Sequence, residues 1–255
     1  MKVLTALLTI ALVGATAAWA KTGSFTYDDG SSYEGEFEDG KVHGQGTYTW
    51  SDGTMYSGAF ESGLPHGEGR LTWPSGAMYE GPFQAGEMAG TGMMMWPTGA
   101  TYEGNFTAGR INGYGMLTWP DGLTYSGIFV TETIEGAGML MWTDGTSYEG
   151  DFVGGSIDGS GMMKWPSGDM YEGGFMGGAP NGEGVYVWAT GSRFEGMYEN
   201  GLAKEGTFYV TDSDGRELAL HGVSGCRRGL DGRASRRPDV ASAGRSETKE
   251  IGQPS

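Results

Sequence analysis

Apolar and polar positions alternate along this chain in short runs, and the runs recur every 23 residues. Tyr33, Tyr56, Tyr79, Tyr102, Tyr125, Tyr148, Tyr171 and Phe194 are each followed by Glu or Ser and then by Gly. With that aromatic residue as position 1, position 3 is Gly in all eight copies. Position 5 is aromatic in all eight: Phe37, Phe60, Phe83, Phe106, Phe129, Phe152, Phe175 and Tyr198. Side chains alternate along a strand, so positions 1, 3 and 5 share a face that reads ring, gap, ring. A fixed period of this length marks a stacked repeat architecture.

A second alternating run follows. Positions 12 and 14 are Gly in the first seven copies, position 16 is large and apolar, and position 18 is Trp from Trp50 to Trp188. Positions 14, 16 and 18 share a face, and the packing expected from this spacing sets each Trp over the gaps left by glycine. Position 8 is Gly in seven copies and begins a loop. After Trp come turns such as Pro74-Ser75-Gly76 and Pro120-Asp121-Gly122, with type I chemistry and a Gly free to take positive φ. Each repeat is therefore predicted to be a β-hairpin, joined to the next in a long antiparallel meander. No segment of the repeat body carries an uninterrupted helical period, so the fold class is all-β.

Tyr33-Glu34-Gly35-Glu36-Phe37, His43-Gly44-Gln45-Gly46, Trp50 and Gly53 together resemble the MORN (membrane occupation and recognition nexus) repeat. The resemblance covers about residues 23 to 210. It implies an elongated, twisted antiparallel sheet of stacked hairpins, often in a homo-oligomer, acting as a binding or scaffolding unit. Three places depart from the pattern. Gly23, Phe25, Tyr27 and Gly30 form an opening half-repeat. Repeat 8 loses the Gly pair and the Trp, leaving Gly206 to Val210 as a degraded strand. Repeat 5 has Glu132 where Gly is expected, so its loop around Thr131 to Glu135 is expected to differ.

Composition changes the picture at the two ends. The chain has 255 residues, of which 50 are Gly and 8 Trp, so its core must be thin and built from large rings. Residues 1–20 combine Lys2, an apolar run from Val3 to Val13, and Ala18-Trp19-Ala20. They read as a secretory signal peptide with mature protein from about Lys21, hence a secreted or periplasmic protein. The alternative is an uncleaved N-terminal membrane anchor. Cys226 is the only cysteine, so no intramolecular disulfide forms. Residues 21–217, read as the repeat array, hold 8 Lys/Arg against 28 Asp/Glu, a net of −20. Residues 218–255 hold 7 against 4, a net of +3, and read as a disordered polar tail. An array this acidic repels nucleic acid and anionic lipid.

Candidate contacts lie on the outward positions. Position 15 is Met93, Met116, Met139 and Met162, with Met95 and Met141 at position 17. This methionine column suits an adaptable protein contact or self-association; a copper(I) site would lack any accompanying His or Cys. Position 2 forms an acidic column that includes Glu80, Glu103 and Glu149. No loop has the clustered oxygens of a calcium site. His43 and His66, both at position 11, cannot close a zinc site alone. No nucleophile–base grouping recurs and no phosphate-binding loop opens a helix, so neither catalytic residues nor a cofactor are expected. The reading is an exported, non-enzymatic scaffold that binds a protein or itself. Peripheral phospholipid binding is a second reading, and glycan or cell-wall binding through an aromatic groove, which needs exposed rings, is a third.

Overall fold

The structure is a computed structural model and describes residues 21–211 and 216–222. These residues contain no helix and form 19 strands of an antiparallel meander in chain order, the fold class expected from the repeat. The chain divides into two compact units, one up to Ile111 and one from Asn112. The expected signal peptide, Cys226 and the residues beyond 222 lie outside the described residues.

Each repeat contributes a short strand and a longer one, such as Ser32–Glu38 and Lys41–Thr49 in the first unit, or Thr124–Val130 and Thr133–Met141 in the second. In repeat 3 the longer strand is split into Glu87–Met88 and Gly90–Met95. Two residues link the strands of a hairpin, and both have positive φ, as in Asp39 (48°) and Gly40 (77°). Positive φ at both central residues is the signature of the type I′ turn, whose twist matches that of the flanking strands. Repeat 5 keeps this turn. Thr131 and Glu132 take φ of 47° and 69°, and Val130 still pairs with Thr133. The loop expected to differ therefore does not; the backbone holds the shared turn with two residues poorly suited to it.

A bulge then resets the register. Phe37 pairs with Val42, as the two-residue turn requires, but Gly35 pairs with Gly46 rather than Gly44. Glu36 thus faces three residues, with Gly44 among them at φ 63°. The same shift recurs in repeats 2, 5, 6 and 7. It sets the glycines of positions 3 and 14 opposite each other, and the position 1 tyrosine over them. A Cβ on Gly46 would lie 2.3 Å from the Tyr33 hydroxyl oxygen, and one on Gly161 would lie 2.4 Å from that of Tyr148. The ring that fills the glycine gap is therefore tyrosine, not the expected tryptophan. Its hydroxyl donates to the carbonyl of position 4 in the bulge: Glu36 at 2.9 Å, Ala59 at 2.8 Å, Asp151 at 3.0 Å. That carbonyl faces the bulge rather than a regular ladder, and the hydroxyl satisfies it.

The rings then build the core by contact between repeats. Tyr56 meets Phe60 of its own repeat and Phe83 of the next, edge to face, with centroids 5.0 and 4.8 Å apart. In the second unit Tyr148 meets Phe152 and Phe175 in the same way. Edge-to-face geometry places the positive ring edge on the negative face of its neighbour. The tryptophans instead stand at the base of the four-residue turns. The Trp50 N–H donates to the Thr54 carbonyl, and the Gly53 N–H donates back to the Trp50 carbonyl. Trp73, Trp96 and Trp119 are buried, whereas Trp50, Trp142, Trp165 and Trp188 are half-buried.

Both described ends depart from the repeat. Lys21–Thr26 pairs with Ser32–Glu38, completing the opening half-repeat. In repeat 8 the bulge is one residue shorter, and Gly206 still pairs with Gly196, so the glycine pair survives at a shifted position. Position 1 there is Phe194, without a hydroxyl, and Met197 at position 4 pairs with Glu205. Glu217–His221 adds a further strand against Leu202–Thr211. The boundary expected at residue 218 falls inside this strand, and residues 218–221 pair with residues 207–210.

Candidate functional site

With one face of the sheet filled by rings, the chemistry open to a partner lies on the other. Register decides how it is arranged. Position 2 of each short strand pairs with position 15 of the long strands on either side. In the first unit Arg70 pairs with Glu80, Glu80 with Met93, and Met93 with Glu103. In the second, Met116 pairs with Ser126, Ser126 with Met139, Met139 with Glu149, and Glu149 with Met162. The methionine and acidic columns are thus one row of alternating residues. Paired side chains in such a row are about 5 Å apart.

Met93, Met116 and Met139 are exposed, at 41, 45 and 37 %. Met141 is exposed as well, while Met95 and Met162 are half-buried. Glu80, Glu103 and Glu149 all face solvent. Arg70 Nη2 approaches Glu80 Oε2 at 2.7 Å, an exposed pair worth about 0–1 kcal/mol. Glu149, by contrast, has a methionine on each flank and no cation paired to it across the ladder.

Sequence reasoning missed the neighbours of this row. Tyr114 and Ile128 are exposed and directly paired beside Met116 and Ser126. Their positions, 13 and 4, have outward parity, which the alternation already implied. The position 1 rings do not supply the aromatic groove that glycan binding requires. Tyr56, Tyr79, Tyr102, Tyr125, Tyr148 and Tyr171 are fully buried and present no face to a sugar.

The titratable groups follow the packing. Burial pushes the hydroxyls of Tyr33, Tyr125 and Tyr171 up to about 12, and raises those of Tyr56, Tyr79, Tyr102 and Tyr148 further. Hydrogen bonds from Arg193 hold the Glu217 carboxyl below its usual range. His43 and His66 each face the carboxylate of their own hairpin, Glu38 at 3.4 Å and Glu61 at 3.3 Å. Among the described residues no three His, Cys, Asp or Glu side chains are grouped to hold a metal ion. Asn112, Glu135 and Asp158, at the same position 11, instead accept the N–H of Thr131, Gly154 and Gly177 in the following turn.

The repeat, its hairpins and its tyrosine-on-glycine core define an all-β repeat protein. The MORN repeat family model matches residues 33–55, 56–78, 79–101, 102–124, 148–170 and 171–193, more than half of the chain. The chain belongs to the MORN repeat family. The match passes over repeats 5 and 8. Among solved structures, the chain is similar to the G-box domain of the microcephaly protein CPAP, with 15 % identity and a TM-score of 0.36, over 79 % of this chain and 99 % of that one. It is also similar to the TCP domain of Drosophila melanogaster SAS-4, solved with a proline-rich motif of Ana2, with 11 % identity and a TM-score of 0.30, over 82 and 96 %. Similarities of this size define no common function. No curated protein matches the chain.

Proposed function

We propose that the chain is an exported, non-enzymatic scaffold that binds a protein partner through the outward face of its repeat sheet. The observation that carries this reading is the division between the two faces. The rings of positions 1 and 5 are consumed in contacts between repeats, while the opposite face leaves large apolar side chains open to solvent in both units. Exposed apolar groups set among carboxylates are the chemistry of a protein contact. The outward row brings together thioethers and single carboxylates, with no nucleophile–base pair. Export rests on the first twenty residues, and cleavage near Lys21 is read by N-terminal sequencing of protein recovered outside the cytoplasm.

The test is photo-crosslinking in the producing cell from outward positions Met93, Met139 and Val153, with turn positions Asp52 and Thr190 for comparison. Protein adducts from the sheet face and none from the turns are expected. Adducts only to lipid would move the reading to the peripheral membrane class. No adduct from any of the three outward positions would overturn the scaffold reading.

A further inference from the structure

Repeat 5 departs from the other seven at its turn, where Glu132 replaces Gly, and on its outward face. Outward positions 2, 4 and 6 of its short strand are Ser126, Ile128 and Val130. Every other repeat carries a carboxylate or carboxamide at one of these three positions at least, and seven of the eight carry Glu or Asp. The inward positions are unchanged: Tyr125, Phe129, Ile134 and Leu140 are buried, and Gly127 pairs with Gly138. The family model passes over this repeat, yet its core residues follow the pattern. What has diverged is the outward surface and the turn beside it.

That surface is continuous across three strands of the second unit. Tyr114 pairs with Ile128, Met116 with Ser126, Ser126 with Met139, and Thr124 with Met141. Tyr114, Met116, Ile128, Met139 and Met141 are all exposed. On the far side the next strand brings carboxylates, Glu149 beside Met139 and Asp151 beside Ala137. The result is an apolar patch with an acidic border, which includes Glu132 and Glu135 at the turn end of the same repeat, on an array whose net charge is −20 from 8 Lys/Arg and 28 Asp/Glu.

We infer that this repeat-5 patch is the docking site for a basic amphipathic protein segment, one that presents apolar side chains flanked by Lys or Arg. The inference rests on the scaffold reading and narrows it to one site and one partner chemistry. Charge decides among occupants. A second copy would bring its own acidic border and array against this one, and like charges facing each other across a contact oppose it. An anionic membrane is repelled in the same way, and the patch offers no cation to a phosphate head group. A segment with flanking cations gains the Met, Ile and Tyr contacts and meets Glu149, whose cross-strand neighbours are both methionine.

The test uses the purified full chain and a labelled synthetic helix of about 18 residues, five turns, with Leu on one face and Lys on the other. A counterpart carries Glu in place of Lys, and binding is read by fluorescence anisotropy. The lysine peptide is expected to bind and the glutamate peptide not to. Ile128→Gln with Met139→Gln should weaken binding about tenfold or more, since two anchoring side chains are lost. Glu149→Gln should weaken it less and reduce its salt dependence. Met55→Gln, at an exposed methionine of the first unit, should leave it unchanged. All substitutions are at surface positions, and unchanged melting curves confirm folding. Equal binding by the double variant would show diffuse attraction to an acidic protein and overturn the site. Absence of peptide binding would overturn it as well, as would self-association or uptake on zwitterionic vesicles that the double variant abolishes. In these cases crosslinked protein adducts from Met93 or Val153 would leave the broader scaffold reading standing.

Discussion

The repeat-5 turn makes a prediction whose sign is unusual, because substitution should stabilise the protein. Thr131 and Glu132 hold φ of 47° and 69°. In the left-handed region a Cβ approaches the following carbonyl, at about 1–2 kcal/mol per residue. Replacing Glu132 by Gly removes that strain but makes the unfolded chain more flexible, which returns about 0.4–1 kcal/mol. The net gain is about 0.5–1 kcal/mol. Thr131→Asn replaces a β-branched residue by one that tolerates this region, for about a further 1 kcal/mol. The Thr131 N–H, which donates to Asn112 Oδ1 at 3.1 Å, survives both changes. Together they should add about 1.5–2 kcal/mol, read as a rise in urea midpoint with an unchanged slope. The reciprocal control is Gly63→Glu in repeat 2. Gly63 is at φ 86° with nothing within 4 Å of an added Cβ, so only backbone strain can act there. It should destabilise by about 1–2 kcal/mol. If Gly63→Glu destabilised while Glu132→Gly did not stabilise, side-chain contacts of Glu132 would outweigh the strain, and the reasoning would fail.

Four further outcomes follow from the core. Tyr148→Phe deletes the 3.0 Å bond to the Asp151 carbonyl and should cost about 1–3 kcal/mol in chemical denaturation; Phe194→Tyr, in the repeat with the shorter bulge, should bring no comparable gain. Gly161→Ala puts a Cβ 2.4 Å from the Tyr148 hydroxyl and should cost about 1–3 kcal/mol or more. Trp119→Ala, at a buried turn base, should cost about 3–5 kcal/mol, and Trp165→Ala, half-buried, clearly less, as followed by hydrogen exchange. At alkaline pH the tyrosines set the limit. Their folded values are raised above the unfolded value of about 10, so their contribution is complete below that pH and is lost as pH climbs toward about 12, at about 1.4 kcal/mol per pH unit for each tyrosine. Tyrosinate absorbance and the β circular dichroism signal should therefore change together; full ionisation near pH 10 with the sheet intact would contradict the buried-ring core.

The repeat length, the hairpins and the ring-bearing face were legible in the sequence because period and parity alone determine them. The ring that fills the glycine gap was not. Tyr33 and Trp50 both have inward parity, and only the shift that pairs Gly35 with Gly46 instead of Gly44 brings the tyrosine over the glycines. That shift rests on the positive φ of Gly44, a backbone property that alternation does not encode. The same register merges Met93 with Glu80 and Glu103 into one row, which column-by-column reading kept apart. The last strand was missed for a different reason. Leu218 and Leu220 are too few to signal a strand by composition, yet they pair with Val210 and Phe208, and Glu217 meets the Arg193 guanidinium at its start. A chain ending at Arg216 should therefore melt lower than one ending at Gly222.

The two faces of this sheet are under unequal constraint, and repeat 5 shows what that permits. Inward, each ring touches its own repeat and the next, so a change at Tyr125 or Phe152 disturbs two hairpins at once. Outward, substitution of an exposed side chain commonly changes stability by less than about 0.5 kcal/mol. Single repeats can therefore acquire a distinct surface while the stack persists, and Ser126, Ile128 and Val130 are such a surface on an unaltered core. The strained turn beside them need not belong to the contact. Thr131→Asn with Glu132→Gly relieves the backbone without touching Ile128 or Met139. If the patch alone recognises the basic segment, that variant melts higher and binds the lysine peptide as tightly as before. Weakened binding at raised stability would instead make the turn part of the recognition surface, with its strain maintained for function rather than merely tolerated.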